Sequence, residues 1–114
     1  MEDCLFCKII AGEIPSTKVY EDENVFAFND ISPLAPVHVL IVPKQHIENI
    51  DGLNGSNADI IGKLFLAAKE IAKQKGVAGG YRIVTNTGAR GGQEIFHLHL
   101  HLLGGKETMG PVLT

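Results

Sequence analysis

The sequence predicts an α+β fold, in which an antiparallel sheet of about five strands carries one long helix and a short N-terminal helix. Strand-length apolar runs occur both before and after a single stretch with helical periodicity, and few helices are available as crossovers. Near the C-terminus, residues 96–103 alternate apolar residues and histidines with a period of two, as an extended strand requires. With 114 residues, we expect one domain over residues 1–114.

The composition is that of an ordinary globular protein. It is 45% hydrophobic and 20% charged, with a net charge of -3, so nothing indicates a nucleic-acid surface or a disordered acidic tail. No apolar stretch has the length of a membrane span, and the first residues lack the pattern of a secretory signal. We therefore expect a cytoplasmic protein.

The two cysteines form a C-x-x-C pair, Cys4 and Cys7. The redox-active version of this motif follows a strand, and only three residues precede Cys4. Two interpretations stay open: a pair of unbound thiols, or half of a tetrahedral zinc site completed by distant His or Cys residues.

Two short strands are predicted at residues 17–21 and 24–28, followed by a connection over residues 29–36 that contains two prolines. Asp30 begins this connection. A carboxylate there can bond sugar hydroxyls, but the local sequence favours a bond to its own backbone in a turn.

The β-branched run at residues 37–43 predicts a buried strand that ends at Pro43. A lone histidine in such a strand, here His38, is more often a core residue with satisfied hydrogen bonds than a catalytic one.

Residues 60–74 carry the clear helical pattern, with apolar residues at spacings of three and four. We expect Ser56 or Asn57 to cap its start and Gly76 to end it. The helix is predicted to be structural and to cover one face of the sheet.

A further strand is predicted at residues 81–86, and it leads into a glycine-rich loop at residues 86–94. Glycines let the backbone turn tightly and bring N–H groups close to an anion. The loop precedes a strand and lacks a G-K-[ST] ending, so it is not a Walker loop. Next to histidines it becomes a candidate phosphate site.

The alternating stretch places its apolar and histidine side chains on opposite faces: Phe96, Leu98, Leu100 and Leu102 towards the core, and His97, His99 and His101 together on the other face. Neighbouring histidines on one face lie about 6.6 Å apart and the outer two about 13 Å apart. Two neighbours can share a zinc ion, whereas three on an undistorted strand cannot converge on one. The row predicts a metal site or an acid–base and nucleophilic site, with at least one histidine outside any metal site.

The stretch from His97 to Leu103 resembles the signature of the histidine triad (HIT) family: His-apolar-His-apolar-His-apolar-apolar. Other segments resemble the Hint branch of that family, the purine nucleoside phosphoramidases, and they extend over most of the chain: residues 6–10, 13–15, 30–33, 42–44, 46–47, 86–93 and 103–105.

The resemblance implies a hydrolase that cleaves the bond at the α-phosphorus of purine nucleoside 5'-phosphoramidates, such as an adenosine phosphoramidate. His99 would be the nucleophile and would form a nucleotidyl-histidine that water then hydrolyses. His101 would contact the phosphate and the leaving group, and His38 matches a fourth histidine of the family site. The resemblance also implies a homodimer in which the segment from Lys106 to Thr114 reaches the partner's site.

The resemblance further implies a set of substrate-binding residues. Asp30 would bind the ribose, Phe28 and Ile31 would flank the purine, and Asn86, Gly92 and Gln93 would hold the phosphate, the last two through backbone N–H groups. Glu94 departs from the best-known animal members, which have serine there. A carboxylate pointing inward would repel the phosphate, which leaves the leaving-group preference open.

A structural zinc ion is also implied, because some bacterial relatives carry the cysteine pair and complete a zinc site with two histidines. The matching residues here are Cys4, Cys7, His46 and His97. The family chemistry needs no metal for catalysis. In this arrangement His97 serves zinc, while His99 and His101 serve the chemistry.

Three rival functions stay open. A catalytic zinc hydrolase would use His97 and His99 as ligands and would lose activity on chelation. A purine nucleotide-binding or scaffold protein would bind nucleotide with little turnover. A dinucleoside polyphosphate hydrolase or nucleotidyl transferase would belong to the same family, but the short chain and residues 103–105 favour the Hint branch.

Overall fold

The computed structural model describes residues 3–110, and it confirms the predicted α+β class with its short and long helices. The strands are β1 (Lys18–Glu21), β2 (Val25–Asn29), β3 (Val37–Pro43), β4 (Tyr81–Val84) and β5 (Leu100–Gly104); the helices are α1 (Leu5–Ile10) and α2 (Asp59–Gln74). One antiparallel five-stranded sheet has the order β1-β2-β3-β5-β4. Within the described residues, neither helix is long and apolar enough to cross a membrane. Residues 111–114 of the predicted C-terminal segment lie outside the described residues.

Helix α2 covers one face of the sheet, as predicted. Its apolar stripe includes the fully buried Leu64 and Ile71, which belong to one cluster with Ile41 of β3 and Leu102 of β5. Because side chains alternate along a strand, this packing assigns every second residue of β2, β3 and β5 to the α2 face. The residues between them face the other way, and this second face carries the polar site.

The start of α2 differs from the prediction. Ala58 is the N-cap and makes no side-chain cap bond. The side chain of Asn57 instead accepts a 2.8 Å bond from the backbone N–H of Asn54, and the Ser56 hydroxyl donates to Oδ1 of Asn54 at 2.7 Å. Both expected capping side chains are thus used in the preceding turn. Gly76, with φ of +75°, follows the helix C-cap as expected.

Helix α1 lies on the second face of the sheet. Its buried residues Phe6 and Ile9 form a separate apolar cluster with side chains from β2 and β3: Phe26, Phe28, Leu40 and Val42. His38 faces this side because its neighbour Val39 belongs to the α2 cluster. Helix α1 therefore closes the face on which the histidines meet.

The histidine segment is only partly a strand. Pairing with the sheet begins at Leu100, and the chain before it bonds elsewhere, since the N–H of Leu98 donates to the carbonyl of Ile47 at 2.6 Å. Leu98, Leu100 and Leu102 are buried as predicted. The prediction for Phe96 was wrong: its side chain is 40% exposed, because the strand alternation does not extend back to it.

Candidate functional site

Four potential metal ligands meet at the N-terminal end of α1. They are the side chains of Cys4, Cys7, His46 and His97, whose donor atoms all lie within 4.8 Å of one another. Nδ1 of His97 lies 3.2 Å from Sγ of Cys4 and 3.5 Å from Sγ of Cys7, and Nδ1 of His46 lies 3.5 Å from Sγ of Cys7. Tetrahedral zinc with bonds of about 2.1 Å to nitrogen and about 2.3 Å to sulfur needs ligand separations of roughly 3.4–3.8 Å. The four residues therefore fit a zinc ion in both chemistry and size.

The short helix brings both thiols to one place. Cys4 is the N-cap of α1, and its Sγ accepts a 3.2 Å bond from the backbone N–H of Cys7. Burial, followed by the neighbouring Cys4, raises the pKa of the Cys7 thiol to about 11. A bound metal would take the place of that proton. Of the two interpretations of this pair, the structure favours the metal site, because two histidines complete the set.

His97 is oriented towards the thiols by its second ring nitrogen. Its Nε2–H donates to the carbonyl of Pro43 at 2.8 Å, which leaves the lone pair of Nδ1 for a metal. The ring is fully buried, and burial lowers the pKa of His97 to about 4, so it is neutral as a ligand must be. Because Nε2–H is bonded to Pro43 and Nδ1 faces the thiols, neither ring nitrogen of His97 is directed at His99.

His99 presents a free ring nitrogen to a cavity. Its Nδ1–H donates to the carbonyl of His97 at 2.7 Å, so the lone pair is on Nε2. Nε2 has no hydrogen-bond partner among residues 3–110, and His99 lines a cavity of about 300 Å³. The side chain is 6% exposed, and burial lowers the pKa of His99 below its ordinary value. At neutral pH the ring is therefore uncharged, with the lone pair of Nε2 available to a ligand.

His38 and His101 form a hydrogen-bonded relay that starts at a backbone N–H. The N–H of Leu34 donates to Nδ1 of His38 at 3.1 Å, so the proton of His38 is on Nε2. That Nε2–H donates to Nδ1 of His101 at 2.9 Å, which places the proton of His101 on its own Nε2. Burial, with the nearby His99 and His38, lowers the pKa of His101 to about 4. His101 lines the same cavity as His99 and, as a neutral ring, has one N–H that can donate a hydrogen bond.

Asp30 makes the predicted turn with one carboxylate oxygen and has its other oxygen near His38. Its Oδ1 accepts a 2.8 Å bond from the N–H of Ser32, which is the predicted turn. Its Oδ2 lies 3.5 Å from Nε2 of His38, and the residue lines the cavity. Asp30, His38 and His101 have donor atoms within 4.8 Å of one another, as a metal site would, but His38 already uses both ring nitrogens in hydrogen bonds.

The side chain of Gln93 fixes the glycine-rich loop from inside. Its Oε1 accepts bonds from the N–H of Gly88 at 2.8 Å and from Nδ2 of Asn49 at 3.0 Å. Its Nε2 donates to the carbonyls of Glu48 at 2.8 Å and Ile95 at 3.0 Å. The buried amide thus makes four hydrogen bonds. The sequence had given Gln93 only a backbone role and did not reveal this one.

Three residues of the loop line the cavity beside His99: Asn86, Gly92 and Glu94. A Cβ atom on Gly92 would be in ordinary contact with Cγ of Asn86 at 3.9 Å, and the φ of +92° favours glycine there. The N–H groups of Gly92 and Gln93, which were expected to face a phosphate, donate within the loop, to Ala89 at 3.1 Å and to Gly88 at 3.0 Å.

The two expected purine neighbours lie differently. Ile31 is 97% exposed next to Asp30, whereas Phe28 is buried and packs edge-on against Phe6 with ring centroids 5.4 Å apart. Four cavity residues were not predicted as site residues: Phe6, Leu34, Leu40 and Ile95. Their local patterns indicated only core or loop, and no spacing linked them to the histidines.

Comparison with known proteins gives a consistent result. The family model described as "HIT domain" matches residues 11–108. A solved structure, a HIT family hydrolase from Clostridium thermocellum, is 54% identical with a TM-score of 0.95, covering 100% of this chain and 99% of that one.

Two relatives among characterised sequences match over nearly their whole lengths. Purine nucleoside phosphoramidase of Escherichia coli is 46% identical, covering 98% of this chain and 94% of the relative. The 14 kDa zinc-binding protein of Brassica juncea is 48% identical, covering 96% of this chain and 98% of the relative. The chain therefore belongs to the HIT domain family, within its Hint branch, and is a hydrolase.

Proposed function

We propose that this hydrolase cleaves purine nucleoside 5'-phosphoramidates at the α-phosphorus through a covalent nucleotidyl-His99 intermediate. The observation that carries the proposal is the 2.7 Å bond from Nδ1–H of His99 to the carbonyl of His97, which leaves Nε2 free in the cavity. The name of the Escherichia coli relative, purine nucleoside phosphoramidase, supports the substrate class.

Each histidine then has one role. Nε2 of His99 attacks phosphorus and forms a P–N bond, while the bond from phosphorus to the leaving amine breaks. His101 takes up a proton when the anionic substrate binds beside it, donates its Nε2 proton to the departing nitrogen, and so returns to its neutral form. In the second step a water gives a proton to His101 and attacks phosphorus, the bond to His99 breaks, and the nucleoside monophosphate is released. Two easier displacements replace one difficult step.

The remaining cavity residues would hold the nucleotide. Asp30 would accept hydrogen bonds from the ribose through Oδ2, since Oδ1 is used in the turn. Ile31 would offer its exposed side chain to the purine, and Phe28 would support that wall from behind Phe6.

The phosphate would lie against the loop. Asn86 lines the cavity together with Gly92, and its side chain would bond a phosphate oxygen. The N–H groups of Gly92 and Gln93 would contribute as three-centre donors, because each already donates within the loop.

We assign a structural zinc ion to Cys4, Cys7, His46 and His97. Their separations and the neutral state of His97 support this assignment, as does the relative named a zinc-binding protein. When bound, the metal would link α1 to the segments that carry His46 and His97. The proposed chemistry uses only histidines of the cavity.

We also propose that the enzyme is a cytoplasmic homodimer. Free thiols that bind zinc suit a reducing compartment. On the outer side of α2, Phe65 and Leu66 are 48% and 69% exposed, which is typical of a surface that another subunit covers. Light scattering of the wild-type protein and of Leu66→Lys would test the dimer, and a wild-type monomer would contradict it.

The decisive assay measures turnover of adenosine 5'-phosphoramidate by the wild-type protein and by His99→Ala, each with and without a chelator. We expect activity that survives chelation and is absent from the variant, while adenosine monophosphate still binds to the variant. Activity that disappears completely when metal is removed from a folded protein would favour a catalytic zinc. Nucleotide binding with no turnover in either protein would instead indicate a binding or scaffold protein.

A further inference from the structure

Residue 97 takes part in both the candidate metal centre and the catalytic cavity. Its ring nitrogen Nδ1 lies 3.2 Å from Sγ of Cys4, and its backbone carbonyl accepts the 2.7 Å bond from His99. The carbonyl bond determines which nitrogen of His99 carries the lone pair. A shift of the His97 backbone would therefore move both the metal ligand and the acceptor that orients His99.

Phe6 makes a second connection between the two sites. It lies between the two cysteines in sequence, is 3% exposed, and presents its ring edge-on to His99 with centroids 5.0 Å apart and an interplanar angle of 90°. Phe28 packs behind it. The ring of His99 is thus held by a hydrogen bond on one nitrogen and by an aromatic wall on one side.

Helix α1 is short and lies next to the candidate metal centre. The helix has six residues, far fewer than an isolated helix needs to be stable. Its N-cap is Cys4 itself, whose sulfur faces His97. A metal ion held by the four ligands would cross-link α1 to two other segments, one after β3 and one before β5.

We propose that the Cys2His2 centre positions the nucleophile, so that metal occupancy fixes the ring of His99 through the His97 carbonyl and through Phe6. Phe6 and His97 are then positioning residues, and the metal takes no part in bond making or breaking. The effect on turnover rests on the proposed function, but the effect on the His99 ring does not.

Metal removal should affect the orientation of the His99 ring more than the binding of the substrate. Metal removal would leave His99 as a mixture of both ring tautomers, whereas the zinc-loaded protein would hold the Nδ1–H form alone. Loss of one orienting hydrogen bond corresponds to about a fivefold to tenfold fall in kcat. KM would change less than kcat, since Asp30 and Asn86 lie in the β2–β3 connection and the glycine-rich loop, outside α1.

The test compares the zinc-loaded protein, the chelated protein, Phe6→Leu, and the control Ile9→Val, which changes a buried residue of the same helix. Ring nitrogen NMR spectra of His99, zinc content, and kcat and KM for adenosine 5'-phosphoramidate are measured for each. Phe6→Leu should keep its zinc but lose kcat and the single tautomer, whereas Ile9→Val should match the wild type. Phe6→Leu also tests the proposal if the chelated protein unfolds.

The outcomes distinguish this proposal from the proposed function. Identical His99 spectra with and without zinc in folded protein, or a Phe6→Leu variant with wild-type spectra and kcat, would overturn the positioning role. If zinc changes the His99 spectrum but no phosphoramidate is hydrolysed, the positioning role stands and the proposed function fails.

Discussion

Nε2 of His38 lies 2.9 Å from Nδ1 of His101, and the backbone N–H of Leu34 fixes the direction of that hydrogen bond. A residue outside the histidine row therefore decides where His101 carries its proton. The relay leaves the N–H of His101 on the nitrogen that does not face His38. This arrangement suits an enzyme whose leaving group, an amine, must receive a proton as it departs.

Substitution of His38 should affect leaving groups unequally. His38→Ala removes the group that fixes the proton on Nε2 of His101, so kcat for an amine leaving group should fall by about 10- to 100-fold. For an adenosine phosphate ester of an acidic phenol, kcat should fall much less, because the phenolate leaves without taking up a proton. Steady-state assays with both substrates measure the ratio, and equal losses for the two would contradict the relay.

Acid should destabilise the folded protein in a defined range. The pKa of His101 is lowered from 6.5 to about 4, so between these values the unfolded state binds a proton that the native state does not. Stability is therefore complete above pH 6.5 and falls as the pH drops towards 4. Urea unfolding at pH 7 and pH 5, with saturating zinc, should show the decline, and His101→Gln should show a shallower one. If the free energy of unfolding falls equally in the two proteins between pH 7 and pH 5, His101 does not contribute to the acid sensitivity.

The hydrogen bonds that Gln93 makes inside the glycine-rich loop should contribute to the stability of the fold. Gln93→Leu keeps the volume but removes four hydrogen bonds, which leaves buried backbone groups and Asn49 without partners. We expect the free energy of unfolding to fall by about 2–4 kcal/mol. Gln45→Leu changes an exposed glutamine and is the matched control. Urea unfolding curves that coincide for the two variants would show that the network contributes little.

The carboxylate of Glu94 should select against negatively charged leaving groups. Glu94 is exposed, lines the catalytic cavity and forms no ion pair among residues 3–110. Glu94→Gln should raise kcat/KM about threefold to fivefold for an adenosine phosphoramidate whose amine carries a carboxylate, and less for one whose amine carries an ammonium group. The exposed Glu23→Gln is the control. An equal change in kcat/KM for both substrates would show that Glu94 does not discriminate between leaving groups by their charge.

The sequence predicted the elements of the sheet well because their patterns are local. The apolar run at residues 37–43 became β3 with the same bounds, and the helical periodicity became α2 within one residue. The prediction failed at Phe96 and at the α2 cap, where hydrogen bonds to Ile47 and Asn54 decide the conformation. Such hydrogen bonds depend on which loops lie next to each other in the fold, and the periodicity of the sequence does not predict those contacts.

The site was predicted unevenly for the same reason. Alternation showed that the histidines share a surface, but only the fold shows that the ring and the carbonyl of His97 face different centres. Phe6 gave no signal because the histidines that it contacts, His97 and His99, are about 90 residues away in sequence. The specific roles of the substrate-binding residues came from family resemblance and stay predictions until they are measured.

The covalent intermediate is the most direct test of the central claim. Wild-type protein is mixed with excess adenosine 5'-phosphoramidate, quenched within one turnover, and digested for mass spectrometry. We predict one adenylyl group on the peptide that contains His99, attached to that histidine, and none in His99→Ala. A wild-type protein that turns over while no adenylylated peptide accumulates under any quench time, with residual turnover in His99→Ala, would contradict the account.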